Sequence, residues 1–525
     1  MTATRKTAHP PALDQEDAGA ARARGMGGAG WRLVRRHWFF AFLLAGGVGL
    51  RVLAMVAYRP ALLYIDSSKY LDGVAGTAPQ GYRALLRLLD PVGGFALVAA
   101  VQHLSGLAMG VALYALPRRR PALGYRAPRW VAALAAAPVL LDAYQLQLEQ
   151  TIMPDVLFET MITAGLVLLL WRPAASARLV AAGALVLGAA ATVREIGAVL
   201  VVPAVIFAVI AAGAGAGWRR RAGRAALAAG CFALPVLAYM TGAYVTGQHF
   251  GLGSNGPGPE YGRAAAAADC ATLVVPADER ALCPSPAQVR ALGGIDGLLH
   301  DPSSPSHTVP VPPGVTRGER LDRFSVAVVR QQPDRVAWSV IRDSVRLFAL
   351  TRDGNPQVTP ITRWQFQTSY PVYPRRYSLA FFTRLAQQNN SGGDLAAVRP
   401  AAAILRGYQL GGGYTPGPLY AALLAAGVLG AVLERRRPAG LAGGGDLAGG
   451  GGLAGACVLV TLAAVILLVS SDAFEFSWRY QLPAVTMLPL AGALGLTVLI
   501  ARLTAAREGG QPHTIPLRGT LRLTK

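Results

Sequence analysis

The sequence predicts an all-α polytopic membrane protein of about ten transmembrane helices, with a mainly helical cap on one face. Three observations carry this. Hydrophobic residues make up 53% of the 525 and charged residues only 15%, a balance that belongs to membrane-embedded chains. The apolar residues gather into runs close to the roughly 20 residues that a helix needs to cross a bilayer. One long, more polar segment, 246–415, interrupts those runs.

Residues 1–37 are polar, Arg-rich and rich in Pro, Ala and Gly, and they lack the short apolar region and cleavage site of a signal peptide. They read as a disordered cytoplasmic tail. The first span is expected over 38–58, followed by an outer loop, 59–92, whose stretch from Tyr70 to Leu89 is amphipathic. Further spans are expected over 93–115, 130–145, 155–171, 178–193, 196–213 and 225–245, and then over 417–433, 453–471 and 482–501. The chain thus divides into a transmembrane block (38–245), an outer cap (246–415), a C-terminal set of transmembrane helices (416–503) and a second cytoplasmic tail (504–525).

The cap opens with a Gly/Pro-rich coil, Gly251 to Pro259, and holds a Pro/Ser-rich stretch from Pro302 to Pro313. Loops of this length without a function are uncommon. Three amphipathic patterns follow. Arg320 to Gln331 places Leu321, Phe324 and Val328 on one face. Asp334 to Leu350 does the same with Val336, Val340, Val345 and Phe348, and Pro333 suits the start of that helix. The third runs from Asp394 to Leu410. The run Gly440 to Gly452 lacks the Lys-Ser/Thr of a phosphate loop and reads as a cytoplasmic linker.

The net charge of +22 sets orientation. One set of short loops carries Arg118, Arg119, Arg120, Arg126, Arg129, Arg172, Arg178, Arg219, Arg220, Arg221, Arg224, Arg435, Arg436 and Arg437. The short segments on the other side carry only Arg59, Lys69, Arg83, Arg87, Arg194 and Arg479. This bias puts both termini in the cytoplasm. Because the arginines are dispersed among spans and form no single basic face, a nucleic-acid partner is disfavoured. Cys231 and Cys457 lie inside spans and read as packing residues. Cys270 and Cys283, 13 positions apart in the outer segment, read as a disulfide.

Ionisable groups near or within a bilayer are costly and usually functional. Asp66 follows the first span in Tyr64-Ile65-Asp66-Ser67-Ser68-Lys69-Tyr70, where a carboxylate can reach a lipid-linked substrate at the membrane surface. Pro154 and Asp155 open the fourth span. Asp155 is either a favourable helix-dipole contact or a second catalytic-site carboxylate facing Asp66, with Glu149 a weaker candidate and Glu159 weaker still. Arg194 and Glu195 form either an ion pair or, through Arg194, a phosphate contact. Asp472, Glu475, Arg479 and Tyr480 cluster before the last span. Arg51 lies within the first span, either bound to carbonyls or facing an active-site cavity. Arg194 and Arg479, with Lys69 and Arg83, can form a phosphate site, because the guanidinium fork donates paired hydrogen bonds.

With Asp66 and Tyr70 after the first span, Pro79-Gln80-Gly81-Tyr82-Arg83 in the same loop, Glu149 and Asp155 near the fourth span, Thr192-Val193-Arg194-Glu195, and Trp478-Arg479-Tyr480-Gln481-Leu482-Pro483, the chain resembles the GT-C superfamily of integral membrane glycosyltransferases. The nearest look is to the protein-mannosyltransferase-like branch and its actinobacterial relatives. The resemblance covers 38–245 and 470–500 and implies a bacterial plasma-membrane enzyme. Such an enzyme moves a sugar from a polyprenyl-phosphate donor to an envelope glycan, lipid or protein acceptor. It implies Asp66 as catalytic base, and substrate contacts from Lys69, Tyr70, Tyr82, Arg83, Arg194, Glu195, Arg479, Tyr480 and Arg51. It implies no cofactor; a divalent metal bridging Asp66 and Asp155 is the disfavoured alternative. The rival class is a multi-pass transporter or lipid flippase. Against it stand the absence of paired repeats and the gathering of charge at one face rather than at mid-bilayer. A non-catalytic scaffold is the third reading, in which Asp66 has no task.

Overall fold

The computed structural model describes residues 31–32, 34–71, 78–119, 126–172, 175–213, 215–253, 258–352, 354, 359–373, 377–392, 394–435 and 452–509. The tail 1–30, most of the 440–452 linker and 510–525 lie outside the described residues. The elements are α1 (Trp38–Ala57), β1 (Tyr58–Arg59), α2 (Ser67–Leu71), α3 (Gly81–Arg119), α4 (Arg129–Leu141), α5 (Ala143–Gln150), α6 (Asp155–Leu170), α7 (Ala177–Ala191), a 3-10 turn (Glu195–Leu200), α8 (Val201–Ile210) and α9 (Trp218–Val245). The cap then supplies α10 (Gly258–Ala267), α11 (Pro286–Leu292), α12 (Ile295–His300), α13 (Pro305–Thr308), α14 (Arg317–Gln331), α15 (Pro333–Val345), α16 (Leu379–Gln388), β2 (Ala396–Ala397) and α17 (Arg399–Leu410). Three helices close the chain: α18 (Gly417–Arg435), α19 (Leu453–Asp472) and α20 (Pro483–Gly509).

The protein is an all-α polytopic membrane protein. Six helices among the described residues are long and apolar enough to cross a bilayer: α1, α3, α9, α18, α19 and α20. The pair α4 and α5, bent by 49° at Asp142, makes a seventh if it counts as one span. This corrects the expected ten. The stretches 155–171 and 178–193 form helices of 16 and 15 residues, and 196–213 is a 3-10 turn leading into a 10-residue helix. At 1.5 Å per residue, a 16-residue helix rises about 24 Å, short of the roughly 30 Å hydrocarbon layer. Their ends fall at Pro154-Asp155 and Thr192-Val193-Arg194, where polar groups are drawn inward to one another.

The helix α3 is two segments. Gly93 and Gly94 leave helical geometry, and Gly94 adopts φ +57°, which favours glycine. A Cβ there would lie 2.8 Å from Ser391 Oγ. The Ser391 hydroxyl instead accepts from Phe95 N at 2.8 Å and ties the cap to the kink. The amphipathic part thus ends where the span was expected to begin. At the C-terminal end, α18 and α20 approach backbone to backbone: a Cβ on Gly495 would fall 1.9 Å from Ala426 O, the close contact that small residues permit between membrane helices.

The cap has its own small core of Tyr261, Leu273, Leu282, Leu298, Leu321, Phe324 and Val328, and the Cys270–Cys283 disulfide is formed beside it. The expected face of α14 is buried as predicted. That of α15 and the turn after it is covered only in part: Val336, Val340 and Phe348 are half-buried and Val345 is exposed, while Ser339 and Asp343 are the buried residues of the helix. Buried Arg263 explains this. It donates to Ser339 Oγ at 2.7 Å and Asp343 Oδ2 at 2.6 Å and also reaches Asp472 O, pinning α10 and α15 to the end of α19. The third pattern splits into β2 and α17. β2 pairs antiparallel with β1, Tyr58 against Ala397 and Arg59 against Ala396.

Candidate active site

The loop after α1 is stretched along the segment that precedes α6. Leu62 N donates to Gln150 O, and Ile152 N donates to Leu62 O, each at 2.9 Å. Ser67 Oγ donates to Ile152 O and accepts from Tyr64 N, again at 2.9 Å. From the cap, Tyr370 Oη donates to Ala61 O at 2.9 Å and accepts from Leu63 N at 3.1 Å. These bonds leave the loop little freedom and deliver Asp66 to the start of α6, where Asp155 stands.

Arg479 lies between the two carboxylates. Its Nη1 meets Asp66 Oδ2 at 2.7 Å, and its Nε donates to Asp155 Oδ1 and Oδ2 at 3.0 and 3.2 Å. Lys69 Nζ is 2.8 Å from Asp66 Oδ1, and Arg194 is bonded to Asp155 Oδ1. The ring of Tyr480 lies 5.0 Å from the Arg194 guanidinium and 5.5 Å from that of Arg479. Arg479 and Asp155 are almost wholly buried, whereas the side chains of Asp66 and Lys69 are 21% and 45% exposed. The cluster is therefore open at Asp66 and closed behind Asp155. A cavity of about 10 Å³, near the size of one water, lies behind it among Asp155, Phe158, Glu159, Arg194, Ser471 and Tyr480.

Burial pushes the Asp66 carboxyl up, but the charges of Lys69 and Arg479 outweigh it and hold the group well below the usual carboxylate range. Asp66 in turn raises Lys69. At neutral pH Asp66 is therefore an anion held by the cation of Lys69 and by Arg479.

The structure thus brings Asp66, Lys69, Asp155, Arg194, Arg479 and Tyr480 together. Tyr70 and Tyr82 stand behind them: their rings meet edge to face with centroids 5.5 Å apart, and Tyr82 Oη donates to Gln102 Oε1 at 2.9 Å. Arg194 pairs with Asp155 rather than with Glu195, which is half-buried beside Gly253. Arg83 is half-buried on α3 and forms no ion pair with a described residue.

Two expected site residues belong elsewhere. Glu149 is fully buried and accepts from Arg51 Nη2 at 2.7 Å, with His103 Nδ1 2.9 Å from its other oxygen. Arg51 also donates to Gly47 O, Leu140 O and Val139 O at 3.1, 2.9 and 3.0 Å. It is the carbonyl-bound arginine of the two readings, and with Glu149 it joins α1, α3, α4 and α5. The Asp472–Tyr480 cluster also divides. Asp472 accepts from Gln481 Nε2 at 2.7 Å, Glu475 takes a hydrogen bond from Thr359, and only Arg479 and Tyr480 reach the site.

The sequence reading missed the cap's contribution. Trp364 lies 5.5 Å from the Arg479 guanidinium, and its ring centroid is 4.6 Å from that of Tyr64. Arg363, beside it, forms a two-bond pair with Asp296 at 3.1 and 3.0 Å. The sequence carries no periodic signal for either, because both lie on a 3-10 turn inside an irregular stretch. Arg352 was missed too. It pairs with Asp142 at 3.0 Å, over the Tyr144 ring, at the α4–α5 bend.

No protein-family model matches the chain, nor does any curated protein. Among solved structures it is similar to the archaeal oligosaccharyltransferase AglB from Archaeoglobus fulgidus, solved in complex with an inhibitory peptide and a dolichol-phosphate. The TM-score is 0.40 at 12% identity, over 93% of this chain and 53% of that one. The chain therefore spans about half the length of AglB.

Proposed function

We propose that the protein is a membrane glycosyltransferase of the GT-C type, nearest the protein-mannosyltransferase-like branch. In this reading it sits in a bacterial plasma membrane with both termini in the cytoplasm. It moves a sugar from a polyprenyl-phosphate donor to an envelope glycan, lipid or protein acceptor at the outer face. The observation that supports this best is the cluster itself: an ionised carboxylate, Asp66, at the end of a membrane helix, beside the cations of Lys69, Arg479 and Arg194. A lipid phosphate brings the one charge that such an array lacks.

The acceptor hydroxyl oxygen bonds to the anomeric carbon as the bond from that carbon to the phosphate oxygen breaks. The hydroxyl proton passes to Asp66, and polyprenyl phosphate leaves as an anion. In the resting array Asp66 is a weak base, because Lys69 and Arg479 neutralise it. Donor phosphate competes for those same cations. Its arrival loosens their hold and raises the basicity of Asp66 when an acceptor can use it. Arg194, anchored on Asp155, and Arg479 then neutralise the leaving phosphate in a dry setting. Arg479 already supplies positive charge between the two carboxylates, so the proposal includes no metal; chelation should leave turnover unchanged.

The test is turnover of purified protein with a radiolabelled polyprenyl-phosphate sugar. Asp66→Asn should lower turnover per folded molecule about 100-fold, the scale of a general base. Asp155→Asn should also impair it, whereas Arg220→Ala, at the opposite membrane face, should not. Near-normal turnover by folded Asp66→Asn protein ends the assignment.

A further inference from the structure

At the end of α1 remote from Asp66, the starts of α1 and α4 and the end of α3 enclose a cavity of about 910 Å³. Its polar lining is cationic: Arg35, Arg36, Arg118, Arg126 and Arg129, with His37. No Asp or Glu lines it among the described residues, and none of the five arginines forms an ion pair with a described residue. Arg118 also donates to Ala127 O at 3.0 Å, but no carboxylate offsets the five like charges around the cavity, which therefore favours an anion.

The aromatic walls say what kind of anion. Tyr114 stacks on Phe40 with centroids 4.0 Å apart and is hydrogen-bonded to His37. Trp38 and Trp130, 66% and 53% exposed, stand on its rim. Amphipathic rings of this sort mark the headgroup level of a bilayer. From the rim, an exposed apolar track of Phe42, Val48 and Val52 runs up α1. Arginines at headgroup depth above an apolar track fit one molecule with a charged head and acyl chains. Crowding is visible at His37, where burial and then Arg118, Arg129 and Arg36 push the imidazole below its usual range.

We infer that this cavity is a binding site for an anionic phospholipid, whose phosphate is held by Arg118, Arg126 and Arg129 and whose chains lie along α1. The site is some 30 Å from Asp66, the rise of the 20-residue α1, and it does not depend on the reaction proposed above. Basic pockets between membrane helices hold anionic headgroups by the same physics.

The experiment is native mass spectrometry of the purified full chain with phosphatidylglycerol or phosphatidylcholine in detergent. The unaltered protein should retain phosphatidylglycerol about tenfold more than phosphatidylcholine. The triple variant Arg118→Gln/Arg126→Gln/Arg129→Gln should lose that preference. Arg219→Gln/Arg220→Gln/Arg221→Gln, which removes as much charge from α9, should keep it. Equal loss in both variants would show diffuse attraction of basic loops to anionic lipid and overturn the site. Displacement of phosphatidylglycerol by millimolar inorganic phosphate would overturn the lipid in favour of a soluble anion. A measurement needing no variant is crosslinking with phosphatidylglycerol carrying a photoreactive headgroup. Labelled peptides should map to 35–40 or 126–130, and labelling elsewhere overturns the proposal.

Discussion

Glu475 shows how one carboxyl near the site differs from another. Asp66 is half-buried beside two cations and stays ionised, whereas Glu475 is 8% exposed and has Asp296 as a neighbour. Burial, and then Asp296, push it up to about 7. An unfolded glutamate titrates near 4.3. Between about 4.3 and 7 the unfolded chain has released this proton while the folded chain keeps it, so stability falls as pH rises through that window and levels off above it. Glu475→Gln removes the effect. The variant should match the parent near pH 4 and exceed it at pH 8, by up to about 3 kcal/mol, read from thermal unfolding in detergent. An equal difference at both pH values would show that folding does not raise the Glu475 carboxyl. Asp66 contributes in the opposite sense: its share of stability is complete above the unfolded carboxylate range and is lost only as pH falls through its own low value.

Among the elements, α1, α3, α4 and α5 are held to one another by one buried pair. Glu149 and Arg51 are almost wholly hidden from water, with His103 beside Glu149 and three carbonyls accepting from Arg51. Removing one partner leaves the other as an uncompensated buried charge. Arg51→Met should therefore cost about 3–5 kcal/mol. Arg51→Met/Glu149→Gln should cost less than the sum of the single changes, because the stranded charge is gone. A double-mutant cycle on unfolding measures the coupling, and strict additivity would refute the pairing. Turnover per folded molecule should stay near that of the parent, since neither side chain touches the Asp66 cluster. The same scale explains why the apolar face of α15 is covered only in part: Arg263 also draws Ser339 and Asp343 inward, so the helix turns between its apolar and polar faces.

For the whole molecule, the arginine-rich loops at one end and the cap at the other make a directional proposal. Alkaline phosphatase fused after Pro302 should be active, and a fusion after Arg220 inactive, if the cap lies outside the cytoplasm. The reverse pattern would place Asp66 in the wrong compartment for an outer-face transferase. It would also put the Cys270–Cys283 disulfide where thiols are kept reduced.

By itself the sequence determined the membrane class, the apolar runs that became helices, the disulfide, and the face of α14, because each depends on local composition or periodicity. It also pointed to Asp66, Asp155, Arg194 and Arg479 as costly charges at membrane boundaries. Only the tertiary structure decided which charges meet. Arg479 lies 413 positions from Asp66, and no local pattern says that it bridges two carboxylates while Arg194 leaves its neighbour Glu195 for Asp155. Nor does spacing distinguish Glu149, neutralised in a structural pair, from Asp66, open to substrate. Burying a charge is tolerated only with a partner at hydrogen-bond distance, and that partner is chosen by how the helices pack.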